Sequence, residues 1–418
     1  MANDDIFTMD NNNTNILIKK LRIFNYKSIS DLTVENIGNF AVFAGPNGAG
    51  KTNFFDALRF VSDFFRFGII EALKKHGGWE NIHSQILRGN NSRKFIFEIE
   101  INFKFGENVN SIESSYNTIR YKLEIKNLHD FPKVFENLWF DNILQVRRIP
   151  NHNLTLQDYE NNQIRTIEDI YNQGDVVEVF YPKEKTNFFR KEYFNSCIYW
   201  RDFIISNFFQ NLQTLRIDPI SAKTPSPFER DSSVLDEKAH NLSAVIMRLD
   251  KEQKIKETIL EYMSLIVPQL ENLHSKKEKY QNTNSLTFKE RRTKKEFPAH
   301  LISDGTIYVL AMLVAILDKS PSKPRWLLIE EPERGLHPNA IVELVKLMRE
   351  EAQKNVLQPI WLTTHNATLV RACNPEDLFF IENEEGSTII KKPINLNDTT
   401  LTLDEAWLSN SLNGGLPW

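Results

Sequence analysis

The stretch GPNGAGKT at residues 45–52 constrains the fold more than any other feature of the chain. It matches the pattern G-x-x-x-x-G-K-[ST] completely. Gly45, Gly48 and Gly50 let the backbone wrap closely and aim N–H groups at phosphate oxygens. NFAVFAGP (39–46) reads as a strand, and Phe54, Phe55, Leu58, Val61, Phe64 and Phe65 recur at helical spacing. The loop therefore lies between a strand and a helix, whose positive end faces the same anion. Lys51 is the expected partner of the β- and γ-phosphates, and Thr52 offers a hydroxyl to Mg²⁺.

Composition narrows the setting. With 418 residues the chain exceeds one ordinary core, so two or three packed lobes are expected. A net charge of -4 argues against a uniformly basic nucleic-acid binder but leaves room for a local basic patch. The two cysteines, Cys197 and Cys373, make neither a disulfide framework nor a cysteine zinc site and fit a reducing, cytoplasmic location. Residues 1–15 are polar and acidic, unlike a signal peptide, and read as a frayed tail. The longest apolar run, residues 308–317, is too short to span a bilayer.

Along the chain, residues 16–29 read as a strand. Residues 93–105 and 117–128 alternate as antiparallel strands do. Residues 140–185 show weak periodicity and define no element. Residues 186–212 read as helical, 215–220 as a strand ending at Pro219, 221–235 as a loop, and 236–250 and 251–266 as helices. From Phe297 helices and strands alternate: a helix over 305–318, a strand over 326–330, a helix over 338–353, a strand over 359–364, a short helix from Ala367 and a strand over 378–382. This is α/β order with a mostly parallel buried sheet. The expected organisation is a tail (1–15), an N-lobe with the phosphate loop and antiparallel strands (16–185), a mainly helical insertion (186–296), an α/β C-lobe (297–395) and a second tail (396–418).

Three further stretches carry chemistry. WLLIEEPE (326–333) is an apolar strand ending in carboxylates, which are expensive to bury without a metal or a reaction. Beside the phosphate loop, Glu330 can hold Mg²⁺ through water and Glu331 can deprotonate an attacking water; alone, the pair is also compatible with a solvated strand end. PIWLTTHN (359–366) ends in His365, a structural residue or a γ-phosphate sensor. LISDGT (301–306) opens a helix whose Ile307, Leu310, Ala311 and Val314 share a face. Ser303 or Asp304 caps it, and the same N-terminus, with Gly305 allowing close approach, can also receive a phosphate. Residues 276–296 hold eight Lys/Arg against three Glu. Lys276, Lys277, Lys279, Lys289, Arg291, Arg292, Lys294 and Lys295 read as a phosphate-backbone contact or as a solvated loop or junction.

The order of these features resembles the ABC-type ATPase heads. Within them it is similar to SMC/RecF-type heads, and most of all to stand-alone AAA-family ATPases related to the ATPase domain of OLD nucleases. The carrying residues are Asn25, Tyr26, Lys27 and Ser28 before the loop, the loop itself (Gly45, Pro46, Asn47, Gly48, Ala49, Gly50, Lys51, Thr52) with Asn53 after it, LISDGT, EEPERGLHP (330–338) and TTHN (363–366). The resemblance implies an ABC/SMC-type P-loop head that binds ATP and Mg²⁺. Lys51, Glu331 and His365 would be catalytic, and Thr52 and Glu330 metal-binding. Two heads would sandwich two ATP molecules, each nucleotide facing Ser303, Asp304 and Gly305 of the other head. Gln85 stands near the position of a glutamine that contacts Mg²⁺ or water in such heads, and exposed helix surface accounts for it equally.

Departures from the pattern limit the role. ISDGT replaces the LSGGQ of transporter heads, and Glu330 replaces the commoner aspartate. There is no long heptad run for chromosome-scale tethering, and no Toprim nuclease is expected after His365. Stand-alone ATPases of this type resemble the ATPase subunits of two-component anti-phage systems, in which a partner supplies the nuclease. A RecF-like repair ATPase and an ATP-assembled scaffold with little turnover are the alternatives.

Overall fold

The structure is a computed structural model that describes residues 15–89, 93–104, 118–128, 131–140, 143–149, 164–168, 176–180, 205, 207–228, 230–278, 280, 282–293, 295–319, 325–354, 358–393, 401–409 and 411. The first part of the chain supplies β1 (Asn15–Tyr26), β2 (Ile29–Ile37), β3 (Phe40–Ala44), α1 (Lys51–Lys75), β4 (Lys94–Lys104), β5 (Thr118–Leu128), β6 (Phe131–Phe140), β7 (Ile143–Ile149), β8 (Ile164–Glu168) and β9 (Val176–Phe180). The second supplies β10 (Leu212–Leu215), α2 (Pro219–Lys223), β11 (Ser226–Pro227), α3 (Leu242–Leu249), α4 (Gln253–Ile266), β12 (Leu270–Glu278), β13 (Thr283–Glu290) and β14 (Glu296–Pro298). Then follow α5 (Asp304–Leu317), β15 (Trp326–Glu330), α6 (Pro338–Lys354), β16 (Ile360–Thr364), α7 (Ala367–Arg371), β17 (Leu378–Glu384), β18 (Ser387–Lys391) and α8 (Leu403–Leu408).

The described strands form three sheets. An eight-stranded antiparallel sheet runs β2-β1-β4-β5-β6-β7-β9-β8. A six-stranded sheet runs β10-β15-β16-β3-β17-β18, parallel except for its last pair. In the third, β13 pairs with β12, β11 and β14. The six-stranded sheet is buried on both faces, which is why its strands read as continuous apolar runs. Phe40, Val42, Ala44, Leu327, Ile329, Ile360 and Leu362 face a core shared with α5 and α6. Ala41, Phe43, Trp326, Leu328 and Trp361 face a second core with α1 and the antiparallel sheet. In the antiparallel sheet, β5 buries Ile119, Tyr121, Leu123 and Ile125 and leaves Arg120, Lys122, Glu124 and Lys126 partly in solvent, the period of two expected for a sheet with one wet face.

Several elements differ from their sequence patterns. Residues 16–29 break at a turn, with Asn25 at φ 62° and Lys27 at φ 49°, and the chain returns as β2. Pro219 begins a helix, α2, rather than ending a strand, because Asp218 caps it by accepting from the Ile220 and Ser221 amides. Within 140–185, where no element was expected, β7, β8 and β9 extend the antiparallel sheet. Residues 186–296 were expected to be mainly helical, yet Lys276, Lys277 and Lys289 of the basic run lie on the β12–β13 hairpin, with Arg291, Arg292 and Lys295 in the turn after it. α5 is not amphipathic: every residue from Ile307 to Leu317 is buried, since α2, α4 and α6 all pack around it. Of the helical stretch expected over 186–212, residues 186–204 and 206 lie outside the described residues, Asn207–Gln210 is a helical turn and Leu212 opens β10. Of the tail expected over 1–15, residues 1–14 lie outside the described residues, as do Lys279 and Lys294, and Asn15 opens β1. No described helix is long and apolar enough to cross a membrane.

α1 reverses direction within its length. Gly68 adopts φ 78°, ψ 173°, a conformation open to glycine, and interrupts the helix. The returning segment delivers His76 to Asp56 (3.4 Å) and Asp63 (3.1 Å). Tyr26 Oη donates to Asp56 Oδ2 (2.8 Å), and Lys27 Nζ lies 2.5 Å from the same oxygen. This buried cluster ties the helix behind the phosphate loop to the β1–β2 turn.

Candidate nucleotide site

β15, β16 and β3 are consecutive parallel neighbours, so their carboxyl ends share one edge of the sheet. Glu330 registers with Thr363, and Thr364 with Ala44. The chain stays paired just beyond the strands: Glu331 N donates to Thr363 O (2.9 Å), and Gly45 N to Thr364 O (3.1 Å). The phosphate loop, the carboxylate pair and His365 thus meet at the strand ends where open α/β sheets bind ligands.

The loop is pressed against β17 and β18. A Cβ at Gly45 would fall 2.2 Å from Ile381 O, and one at Gly50 would fall 2.0 Å from Thr388 Oγ1. Gly50 (φ 103°) and Gly48 (φ 80°) also take left-handed conformations. Lys51 Nζ donates to Gly45 O (2.7 Å) and Pro46 O (2.9 Å), folding the ammonium over the loop. Burial pushes the Lys51 amine down, opposed by the negative charges of Glu331, Glu333 and Glu330. Ala49 is buried, whereas Asn47, Gly48 and Thr52 are exposed. Asn53 Nδ2 donates to Ser28 Oγ (2.7 Å), which contacts Thr388 Oγ1 (2.6 Å). Asn25 joins strand to loop by donating to Lys94 O and accepting from Ser84 N.

Glu330 at the end of β15 and Glu331 and Glu333 just after it have three environments. Arg216, just past the end of neighbouring β10, donates Nε (2.8 Å) and Nη2 (2.5 Å) to Glu330 Oε1. Burial raises the Glu330 carboxyl, while Arg216 pulls it down. Glu331 takes a left-handed φ of 49° and meets His365 Nδ1 at 2.9 Å. Glu333 is 6% exposed; its Oε1 accepts from Thr364 Oγ1 (2.6 Å), and its Oε2 is buried without a hydrogen-bond partner among the described residues. Burial holds its carboxyl above the usual range. Arg216 and Glu333 were not anticipated as site residues. Arg216 carries the same signal as Glu330, a charge at the end of an apolar strand, and Glu333 stands inside the EEPE run.

Ser303 caps α5 by accepting from Thr306 N (3.2 Å). Asp304 forms a 2.5 Å ion pair with Lys223 of α2. Ser303 and Gly305 line a separate cleft of about 350 Å³ with Leu265, Gly335 and His337. Gln85 is exposed after the helical turn Trp79–Ile82, and its amide donates to Glu80 O (3.5 Å). Among the described residues no hydrogen bond joins it to Thr52, Glu330 or Glu331.

The donor set fits a phosphate ester with Mg²⁺. The glycine cradle admits no side chain at Gly45 or Gly50, and Lys51 sits among three glutamates. Among the described residues no group of three or more His, Cys, Asp or Glu side chains forms a metal site by itself. A cation here would draw most of its ligands from phosphate and water, as Mg²⁺ does.

The fold is that of a P-loop NTPase head of the SMC type. The structure is similar to the SMC head bound to the C-winged helix domain of ScpA (TM-score 0.53, 13% identity, 93% of this chain and 99% of that chain). It is also similar to the SMC head domain with an extended coiled coil bound to the C-terminal domain of ScpA, derived from Pyrococcus furiosus (TM-score 0.51, 13% identity, 94% and 98%). At these identities the likeness is one of fold. The chain belongs to the family described as "AAA domain, putative AbiEii toxin, Type IV TA system", whose model matches residues 40–371. No curated protein matches it.

Proposed function

We propose that the protein is an ATP-binding and ATP-hydrolysing subunit whose two heads close on nucleotide. In this role it senses or grips nucleic acid and controls a separate effector, a nuclease by class, in cytoplasmic anti-phage defence. The observation that carries the ATPase reading is the convergence on one sheet edge of the cradle at 45–52, the Glu331–His365 contact and Glu330. The separate protein partner is supported by the family description, which names a toxin–antitoxin system and so a second component.

In this mechanism the loop amides and Lys51 bind the β- and γ-phosphates. Glu331 takes a proton from water as the water oxygen attacks the γ-phosphorus; the bond to the bridging oxygen breaks, giving ADP and phosphate. His365 holds the Glu331 carboxylate through Nδ1. Thr52 and Glu330 are the residues that would hold Mg²⁺, which when bound screens the phosphate charge. Ser303 and Gly305 of the second head would cover the γ-phosphate, and the Lys223 pair offsets the charge of Asp304 there. Nucleic acid would meet the β12–β13 hairpin and the turn after it. There Lys276 and Lys289 are paired with Glu296 and Glu271, and Lys277, Arg291, Arg292 and Lys295 are exposed.

The test is ATP turnover by the purified chain. Wild type should release phosphate, Lys51→Ala should lose nucleotide binding, and Glu331→Gln should bind nucleotide but slow by about 10²-fold or more. Wild-type turnover in Glu331→Gln would remove the base assignment.

A further inference from the structure

Arg216 stands between two carboxylates. It forks onto Glu330 Oε1 at 2.8 and 2.5 Å, and its Nε lies 3.9 Å from Glu237 Oε1. Its backbone amide donates to Glu237 O (2.8 Å), which ties the two main chains together and keeps the Glu237 side chain next to the guanidinium. Glu237 is also contacted by Arg59 of α1 (3.4 Å). The loop carrying Glu237 is internally fixed: the Asp236 carboxylate accepts from the amides of Lys238 and His240 and pairs with Arg230. Asn241 bridges the carbonyls of Asp231 and Val234. Glu237 is therefore held at a fixed distance beside Arg216. A carboxylate oxygen bound by a two-donor guanidinium is a weaker ligand for a cation, since both draw on the same lone pairs and the two positive charges repel.

We infer that Arg216 is a positioning residue that holds Glu330 until a cation arrives with the nucleotide, then transfers to Glu237. This rests on the reading that Glu330 faces Mg²⁺. The handover links occupancy of the site to the loop at residues 230–241. It also reaches the adjoining polar cleft of about 600 Å³, which Arg59, Asp236 and Glu237 help to line. The competition sets how much Mg²⁺ is needed before nucleotide binds tightly.

The experiment titrates Mg²⁺ into the full chain with a fluorescent, non-hydrolysable ATP analogue and reads binding rather than turnover. Arg216→Gln should lower the half-saturating Mg²⁺ by at least about threefold, the scale of one partly exposed ion pair, with each variant's midpoint read against its own binding in EDTA. Glu237→Gln, which removes the receiving carboxylate, should raise the Mg²⁺ requirement. Glu330→Gln should abolish the Mg²⁺ response. A Glu330→Gln chain with the wild-type response overturns the Glu330 reading and the proposal with it. Loss of the response in Glu330→Gln, together with an unchanged or higher midpoint in Arg216→Gln, overturns the role of Arg216 alone. Circular dichroism confirms that each variant is folded, and Arg216→Lys, which keeps the charge without the fork, should fall between wild type and Arg216→Gln.

Discussion

A single methyl group at Gly45 tests how the phosphate loop is seated. The new Cβ would lie 2.2 Å from Ile381 O, more than 1 Å inside the 3.4 Å of ordinary contact. Neither side yields easily, because β3 and β17 are paired from Val42–Leu378 to Ala44–Phe380. Overpacking of this kind costs about 1–3 kcal/mol, and a clash with backbone on both sides belongs at the upper end. Gly48→Ala meets nothing within 4 Å and costs only its left-handed φ, about 1–2 kcal/mol. Gly50→Ala carries both penalties, and Thr388→Gly should relieve the steric part. Melting midpoints should rank wild type above Gly48→Ala above Gly45→Ala, with Gly50→Ala no better than Gly45→Ala. Binding of a fluorescent ATP analogue should fall in the same order. A Gly45→Ala chain that melts and binds like wild type would refute the packing of the loop on β17.

Burial alone would lower the pKa of His76, but Asp56 and Asp63 raise it overall. Its stabilisation is full below the unfolded value of about 6.5 and is lost as pH rises through the folded value. Asp56 is shifted down, burial opposing and His76 and Lys27 prevailing, so its contribution is present above about pH 4 and fades as pH falls. The melting midpoint should therefore plateau between about pH 4 and 6.5 and decline above, and His76→Gln should flatten that decline; equal slopes would remove the cluster's role. Thr364→Val takes the donor from buried Glu333 and should destabilise by about 1–3 kcal/mol in thermal unfolding, whereas a neutral result would mean that Glu333 is satisfied otherwise. Replacing Arg291, Arg292 and Lys295 with Ala should weaken binding to DNA or RNA and flatten its salt dependence. Unchanged binding would make the hairpin and its turn a solvated surface.

The site was legible where the signal is local. Glycine spacing marks the loop between β3 and α1, and apolar runs ending in polar or charged residues mark β15 and β16. Pairing between distant segments was not legible. Arg216 and Glu330 are 114 residues apart and meet only because β10 joins β15. The burial of Glu333 depends on Thr364 of the next strand. The β12–β13 hairpin was obscured by its lysines and by an irregularity between Leu270 and Asn272, although Asn284, Leu286 and Phe288 keep a period of two. α5 looked amphipathic because its first turns hold polar residues, but the helices around it cover every side.

Under the proposed function, nucleotide closes two heads. The most direct measurement is mass by light scattering on wild type and Glu331→Gln, with and without ATP and Mg²⁺, with any co-purifying protein identified. Head closure should give doubling or a larger assembly with ATP, persistent in Glu331→Gln and transient in wild type. A constant monomer that still hydrolyses ATP would contradict it and leave Ser303, Asp304 and Gly305 with no role in trans.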